Sequence, residues 1–201
     1  MVNNDPLIRA LRSNDLEQTQ DLLKKGVSVR SNPSTAYYPM HTAAAANAFQ
    51  EMSALHTHGA SPHEDNHLGQ TPLHTAAAHG AALAVKKLLQ LGGNPNRTDR
   101  NGSTALLLTA QLAAGRNQLK ILRDLLEAGA NINAANNDGI TALHLAAQSG
   151  SLDAVEILLS HGANPDALSK NRRSLEDFSR AHEKSAVRAL VNKSKKISSS
   201  I

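Results

Sequence analysis

The chain has 201 residues, no cysteine, 2% aromatic side chains and a formal net charge of +4. Lack of cysteine excludes disulfides, thiolate zinc sites and a cysteine nucleophile, and two Phe, two Tyr and no Trp leave core packing to alanine and leucine. No stretch approaches 18 consecutive apolar residues, and MVNNDPLIRA lacks a basic region followed by an apolar run, so the expectation is a cytoplasmic protein without a membrane segment.

A fixed beat organises everything that follows. Gly26, Gly59 and Gly92 stand 33 residues apart, Gly129 comes after 37 and Gly162 after 33 again; His41, His74, Leu107 and His144 keep the same intervals. Self-similarity at this period means one helix–turn–helix unit used about six times, each unit too small to stand alone. The first unit opens with Asp5 before Pro6, an acceptor for a helix start, and Asn14 stands where later units have a left-handed glycine. In the second unit Tyr38 precedes Pro39. A phenol cannot make that local cap, so this unit is expected to be the weakest of the interior ones.

The third unit is the clearest. Gly69 allows the positive φ of a tight turn, Thr71 caps, and Pro72 occupies the first helical position. A first helix is predicted from Pro72 to His79, stopped at Gly80, and a second from Leu83 to Leu91 with Val85, Leu88 and Leu89 on one face. The fourth unit carries four extra residues across the turn between its helices, within QLAAGRNQ at 111–118, with Gly115 as the expected left-handed stop; the simplest reading is a loop insertion. The fifth repeats the third as NNDGITALHLAAQSG at 136–150. In the sixth, Arg172 replaces the turn glycine, Ser174 heads a short capping box, and Glu176 replaces a core leucine. Residues 170–196 hold nine Lys and Arg against three acids, whereas the remainder holds twelve against fourteen, so a near-neutral body has a basic end. Residues 193–201, with no apolar periodicity, are expected to form a disordered basic tail.

TPLHTAA at 71–77, TALHLAA at 141–147, AGANINA at 128–134 and HGANPDA at 161–167 closely resemble the ankyrin repeat. The resemblance spans nearly the whole chain. It implies an all-α-dominated curved solenoid of antiparallel helix pairs joined by projecting β-hairpin loops, with repeats at 1–33, 34–65, 66–98, 99–135, 136–168 and 169–192, the two outermost acting as caps. It also implies a non-catalytic module, a monomer with no cofactor and no small-molecule substrate, that binds a protein through its concave groove and hairpin tips. Recognition then falls to residues flanking the turn glycines, Tyr37, His67, Leu68, Gln70, Arg100, Asn101, Ser103, Asn137, Asp138 and Ile140. Deeper in the groove are His79, Gln111, Leu112, Gln148 and Ser149, beside Ala45, Ala46 and Ala78.

Other chemistry has weaker support. His56, His58, His63 and His67, with Glu64 and Asp65, could hold zinc, but the register puts the first two at a helix end and the others on a hairpin, with no HExxH. His41, His74 and His144 each sit three residues after a cap and are expected to tie the turn to the cap or to the next unit. No serine lies in a G-x-S-x-G elbow and no glycine-rich phosphate loop is present. The basic end could touch nucleic acid or an anionic surface; without aromatics among its lysines, nucleic acid is disfavoured.

Overall fold

A computed structural model describes residues 5–113 and 115–198. Two compact units, 1–100 and 101–201, divide the chain. The first contains α1 (Pro6–Arg12), α2 (Leu16–Lys24), α3 (Pro39–Ala45), α4 (Phe49–Thr57), α5 (Pro72–Ala78) and α6 (Ala82–Gln90); the second contains α7 (Ala105–Gln111), α8 (Arg116–Glu127), α9 (Ala142–Ser149), α10 (Leu152–Ser160), α11 (Leu175–Phe178) and α12 (Lys184–Ser198). Each odd-numbered helix pairs with the even one that follows. Within the first unit α1, α3 and α5 stack in one layer and α2, α4 and α6 in another, and within the second α7, α9 and α11 stack beside α8, α10 and α12. This is an all-α repeat solenoid.

Alanine makes the stacking possible. Ala43, Ala44, Ala76 and Ala77 in the first unit, and Ala110, Ala146 and Ala147 in the second, are almost wholly buried, because a methyl side chain lets neighbouring backbones approach. The larger core residues come from both layers: Leu7, Leu11, Met40, Met52, Leu55, Leu73 and Leu88, then Leu106, Leu107, Ile121 and Leu122. Burying each leucine contributes about 1.5–3 kcal/mol, and that burial comes both from the partner helix of the same pair and from the adjacent pairs.

The expected caps form where the chemistry allows. Asp5 Oδ1 accepts from the Leu7 and Ile8 amides at 2.9 and 3.1 Å, Thr104 Oγ1 from the Leu107 amide at 3.4 Å, and Asp177 from both the amide and the hydroxyl of Ser174 at 2.8 Å. Tyr38 makes no cap bond. Asn14, Asn47 and Arg172 take the left-handed conformation at φ 54°, 58° and 58°, as their register demands.

Three expectations need correction. Gly115 is not a left-handed stop: its φ is −124° and it opens α8, which runs 12 residues where α2, α4, α6 and α10 run nine. Most of the insertion is thus extra helix and not loop, because about one added turn keeps the apolar face of α8 in register; Ala114, beside it, lies outside the described residues. The hairpins form no strands among the described residues, only the isolated bridges Asn32–Tyr37 and Ala135–Thr141, since each arm is too short to extend a ladder. The disordered tail expected from residue 193 is instead helical to Ser198. Val187 is buried on α12, and Lys193 reaches Glu156 at 2.9 Å while Lys195 reaches Asp166 at 2.8 Å; residues 199–201 lie outside the described residues.

Candidate recognition surface

The hairpin tips are built by side chain as much as by backbone. Asn66 Oδ1 accepts from the amides of Leu68 and Gln70 at 2.8 and 3.0 Å, and the Asn66 amide and carbonyl bond Gln70 and Gly69 across the turn. Asn136 repeats this with Asp138, Ile140 and Gly139 at 2.9–3.0 Å. An asparagine that mimics a backbone turn holds a five-residue tip rigid. At the corresponding place in the second repeat stands Pro33, which has no N–H, so the pairing moves back to Asn32 and Tyr37 and Ala36 takes the positive φ of 53°.

Successive tips also bond each other. In the first unit the Arg100 amide donates to the Leu68 carbonyl at 3.2 Å; in the second, Asn137 donates to Asn101 at 2.9 Å and Lys170 to Asp138 at 2.8 Å. Glycine is required at these tips for two reasons. Gly102 and Gly139 have φ of 73°, and a Cβ there would lie 2.9 Å from the Asn137 nitrogen and 2.8 Å from the Lys170 nitrogen.

The helix caps lock the base of the tips. His74 Nδ1 accepts from the Thr71 amide at 3.1 Å and lies 2.9 Å from the Thr71 hydroxyl; His144 does the same with Thr141 at 3.2 and 3.0 Å. An Nδ1 that accepts from an amide leaves the ring proton on Nε2. His144 Nε2 donates it to the Ala167 carbonyl at 3.1 Å, and His41 Nε2 donates to Gln70 at 2.8 Å, so these histidines join one repeat to the next as expected. Burial lowers the pKa of both His41 and His144, keeping the rings neutral, while the carbonyl bonds oppose it.

On this frame the named residues of the first unit lie as follows: His67, Leu68, His79 and Arg100 are exposed, and Tyr37 and Gln70 are half-buried. Leu68 is 48% exposed. Tyr37 donates its hydroxyl to the Ser28 carbonyl at 2.6 Å, and burial together with Asp5 pushes the phenol up to about 12. In the second unit Asn101, Gln111, Leu112, Asn137, Asp138 and Gln148 are exposed, and Ile140 and Ser149 are half-buried. Ser103 is buried and does not belong to the exposed surface: at the place held by Gln70 and Ile140 in neighbouring repeats, its shorter side chain stops below the surface. Leu68 precedes the left-handed residue of its tip, whereas Ile140 and Tyr37 follow theirs. That one-residue offset explains their deeper burial.

Among the described residues no three His, Asp or Glu come together to hold a metal; His56 Nδ1 is 3.2 Å from the Ala60 carbonyl and His58 Nδ1 2.9 Å from the Ala54 carbonyl. Sequence reasoning missed the tip asparagines, although Asn66 and Asn136 stand three residues before Gly69 and Gly139. It also missed a second series on the same beat. Ser28, Ser61, Asn94, Asn131 and Asn164 each accept from the amide two residues on, at 2.9–3.3 Å. No helix among the described residues is long and apolar enough to cross a membrane. In comparisons with known proteins, the family model described as ankyrin repeats (3 copies) matches residues 7–99, 82–169 and 110–200. No curated protein matches the chain.

Proposed function

The chain belongs to the ankyrin-repeat family, whose repeats are generally protein–protein interaction modules and typically non-catalytic, and from that premise we propose that it binds a protein partner through its hairpin tips and the adjoining ends of the odd-numbered helices. The observation that carries the reading is the pairing of rigidity with exposure. Tips braced by asparagine and by tip-to-tip amide bonds present His67, Leu68 and Arg100 on one unit, and Asn101, Asn137 and Asp138 on the other. A surface fixed before binding loses little conformational entropy when a partner docks. Leu68 is the apolar anchor in this reading, because exposed apolar residues on a rigid support tend to dominate interfaces. The same proposal places the protein in the cytoplasm as a monomer, reads residues 1–192 as six repeats, and assigns it no cofactor, substrate or reaction.

Affinity capture from the native source, followed by mass spectrometry, identifies the partner, and calorimetry then measures it. Leu68→Glu is expected to keep the circular dichroism and melting of the parent while weakening binding at least tenfold, about 1.4 kcal/mol. Ile140→Glu should weaken binding less cleanly, since that side chain is half-buried. The control pair lies on the even-numbered helices, Lys86→Glu with Glu127→Lys, both exposed; Glu156 is unsuitable because Lys193 holds it. Normal binding by Leu68→Glu with loss in the control pair would move recognition to the opposite face.

A further inference from the structure

The basic end of the chain is less free than its composition suggests. Lys193 and Lys195 bond Glu156 and Asp166, and Arg188 grips Glu176 through two bonds of 2.9 and 2.7 Å. Arg173 lies 4.2 Å over the Phe178 ring and donates to the Asp177 carbonyl at 2.8 Å. The Arg188 bonds hold the Glu176 carboxyl, and the Ser174 amide and hydroxyl the Asp177 carboxyl, below the usual carboxylate range, with the Lys184 charge adding a smaller lowering to both, and the Arg180 guanidinium lies near the Glu183 carboxylate beside Gly150. Lys170 and Arg172, by contrast, make no ion pair and no side-chain hydrogen bond among the described residues. Both are exposed and both sit on the last hairpin, 169–173.

That hairpin is also the open end of the tip-to-tip series. It has the geometry of the earlier tips, with Ser169 paired to Arg173 at 3.1 Å and the Arg172 amide on Ser169 at 2.8 Å. The tips around Gly69, Gly102 and Gly139 each offer the carbonyl just before the left-handed residue, Leu68, Asn101 or Asp138, to an amide of the next tip. Here the matching carbonyl is that of Asn171, which accepts no bond among the described residues. At Gly139 a Cβ would strike the next tip. At the same place Arg172 carries its side chain into the space that a further tip would fill.

We propose that the 169–173 hairpin is a docking edge for an extended acidic segment of the protein partner, with a backbone N–H of that segment on the Asn171 carbonyl and its carboxylates on Lys170 and Arg172. This rests on the reading of the tips as the recognition surface. An open backbone acceptor selects an extended chain, and an arginine fork selects carboxylate. A nucleic acid fits poorly, because the sole Phe, Tyr or Trp of this unit, Phe178, is buried under Arg173 and leaves no exposed ring on which a base could stack.

The test uses the full chain and a fluorescein-labelled decapeptide of alternating Glu and Thr, read by fluorescence anisotropy beside a Lys-for-Glu peptide and a single-stranded oligonucleotide. Binding of the Glu peptide, weaker at higher salt and stronger than either control, is the expected result. Arg172→Gly with Lys170→Gln should weaken it at least about fivefold with the fold intact, since glycine already occupies this conformation at the other tips. Lys193→Gln with Lys195→Gln should leave it within about twofold. The proposal is overturned by absence of binding, by equal affinity in the hairpin variant, by tighter binding of the oligonucleotide, or by self-association of the chain that the hairpin variant abolishes. If the peptide fails while Leu68→Glu still weakens the captured partner, this edge is wrong and the recognition surface stands; if the peptide binds and Leu68→Glu has no effect, the reverse holds.

Discussion

Helices α3 and α5 open on nearly the same four residues, Tyr-Pro-Met-His and Thr-Pro-Leu-His, yet their polar atoms end differently. At α5, as at α9, the imidazole Nδ1 meets both the amide and the hydroxyl of the cap residue. At α3 the Tyr38 ring stands edge-on to His41 with 5.4 Å between centroids, and the Tyr38 hydroxyl and His41 Nδ1 are both buried without a partner among the described residues. A buried polar atom without a partner costs about 1–3 kcal/mol. The difference teaches that a cap hydroxyl stabilises where it can reach a first-turn amide or the ring nitrogen; on a rigid phenol, which reaches neither, it becomes a liability.

The largest expected effects test whether packing is otherwise alike in the two repeats. Leu55→Ala on α4 and Leu88→Ala on α6, both fully buried, should each cost about 2–5 kcal/mol in urea denaturation. A large inequality between them would mean that the repeats differ in their cores and not chiefly at the cap. Hydroxyl deletion then separates the caps by sign. Thr71→Val should cost about 1 kcal/mol, whereas Tyr38→Phe should raise stability by about 1 kcal/mol; loss of stability in both variants breaks the comparison.

Acid sharpens it further. Burial is the main cause that lowers the His41 pKa, against the Gln70 bond and nearby Glu64 and Asp65; at His144 burial also dominates, opposed by the Ala167 bond and reinforced by Arg173. A folded value below the ordinary value of about 6.5 means that this stability is complete above that pH and is lost as pH falls through the folded values. Melting temperature should therefore drop on acidification from neutrality, and His41→Gln should remove part of the drop. A rise in melting temperature on acidification would contradict the assignment. The smallest effect concerns Asn47, which takes the left-handed place of a glycine and also accepts from the Ala84 amide at 2.9 Å, capping α6, whose own cap residue is Ala81. Asn47→Gly should cost roughly 0.5–1 kcal/mol despite the easier backbone. A gain in stability would mean that the cross-repeat bond contributes nothing.

Much of the fold was legible because its demands are local. A left-handed residue needs Gly or Asn within its own few bonds, and a helix start needs an acceptor beside it, so Gly26 to Gly162, Asn14, Asn47, Asp5, Thr71 and Ser174 could be placed by spacing. The tip asparagines obey the same local logic and keep the same beat; they were overlooked and not hidden. The candidate surface was legible only in outline. Exposure at Leu68 against burial at Ser103 depends on side-chain length and on a one-residue offset around the turn, which periodicity does not resolve.

By itself, then, the sequence determined the unit, its period, its caps and the absence of thiol chemistry, since each follows from residue type at a fixed spacing. The tertiary structure decided which cations are spent on Glu156, Asp166 and Glu176, that the segment from Lys193 to Ser198 is helical, and that the carbonyl of Asn171 ends the series of bonded tips. Those outcomes depend on partners as many as 37 residues away along the chain, and a charge or a carbonyl carries no sign of its partner until packing brings the two together.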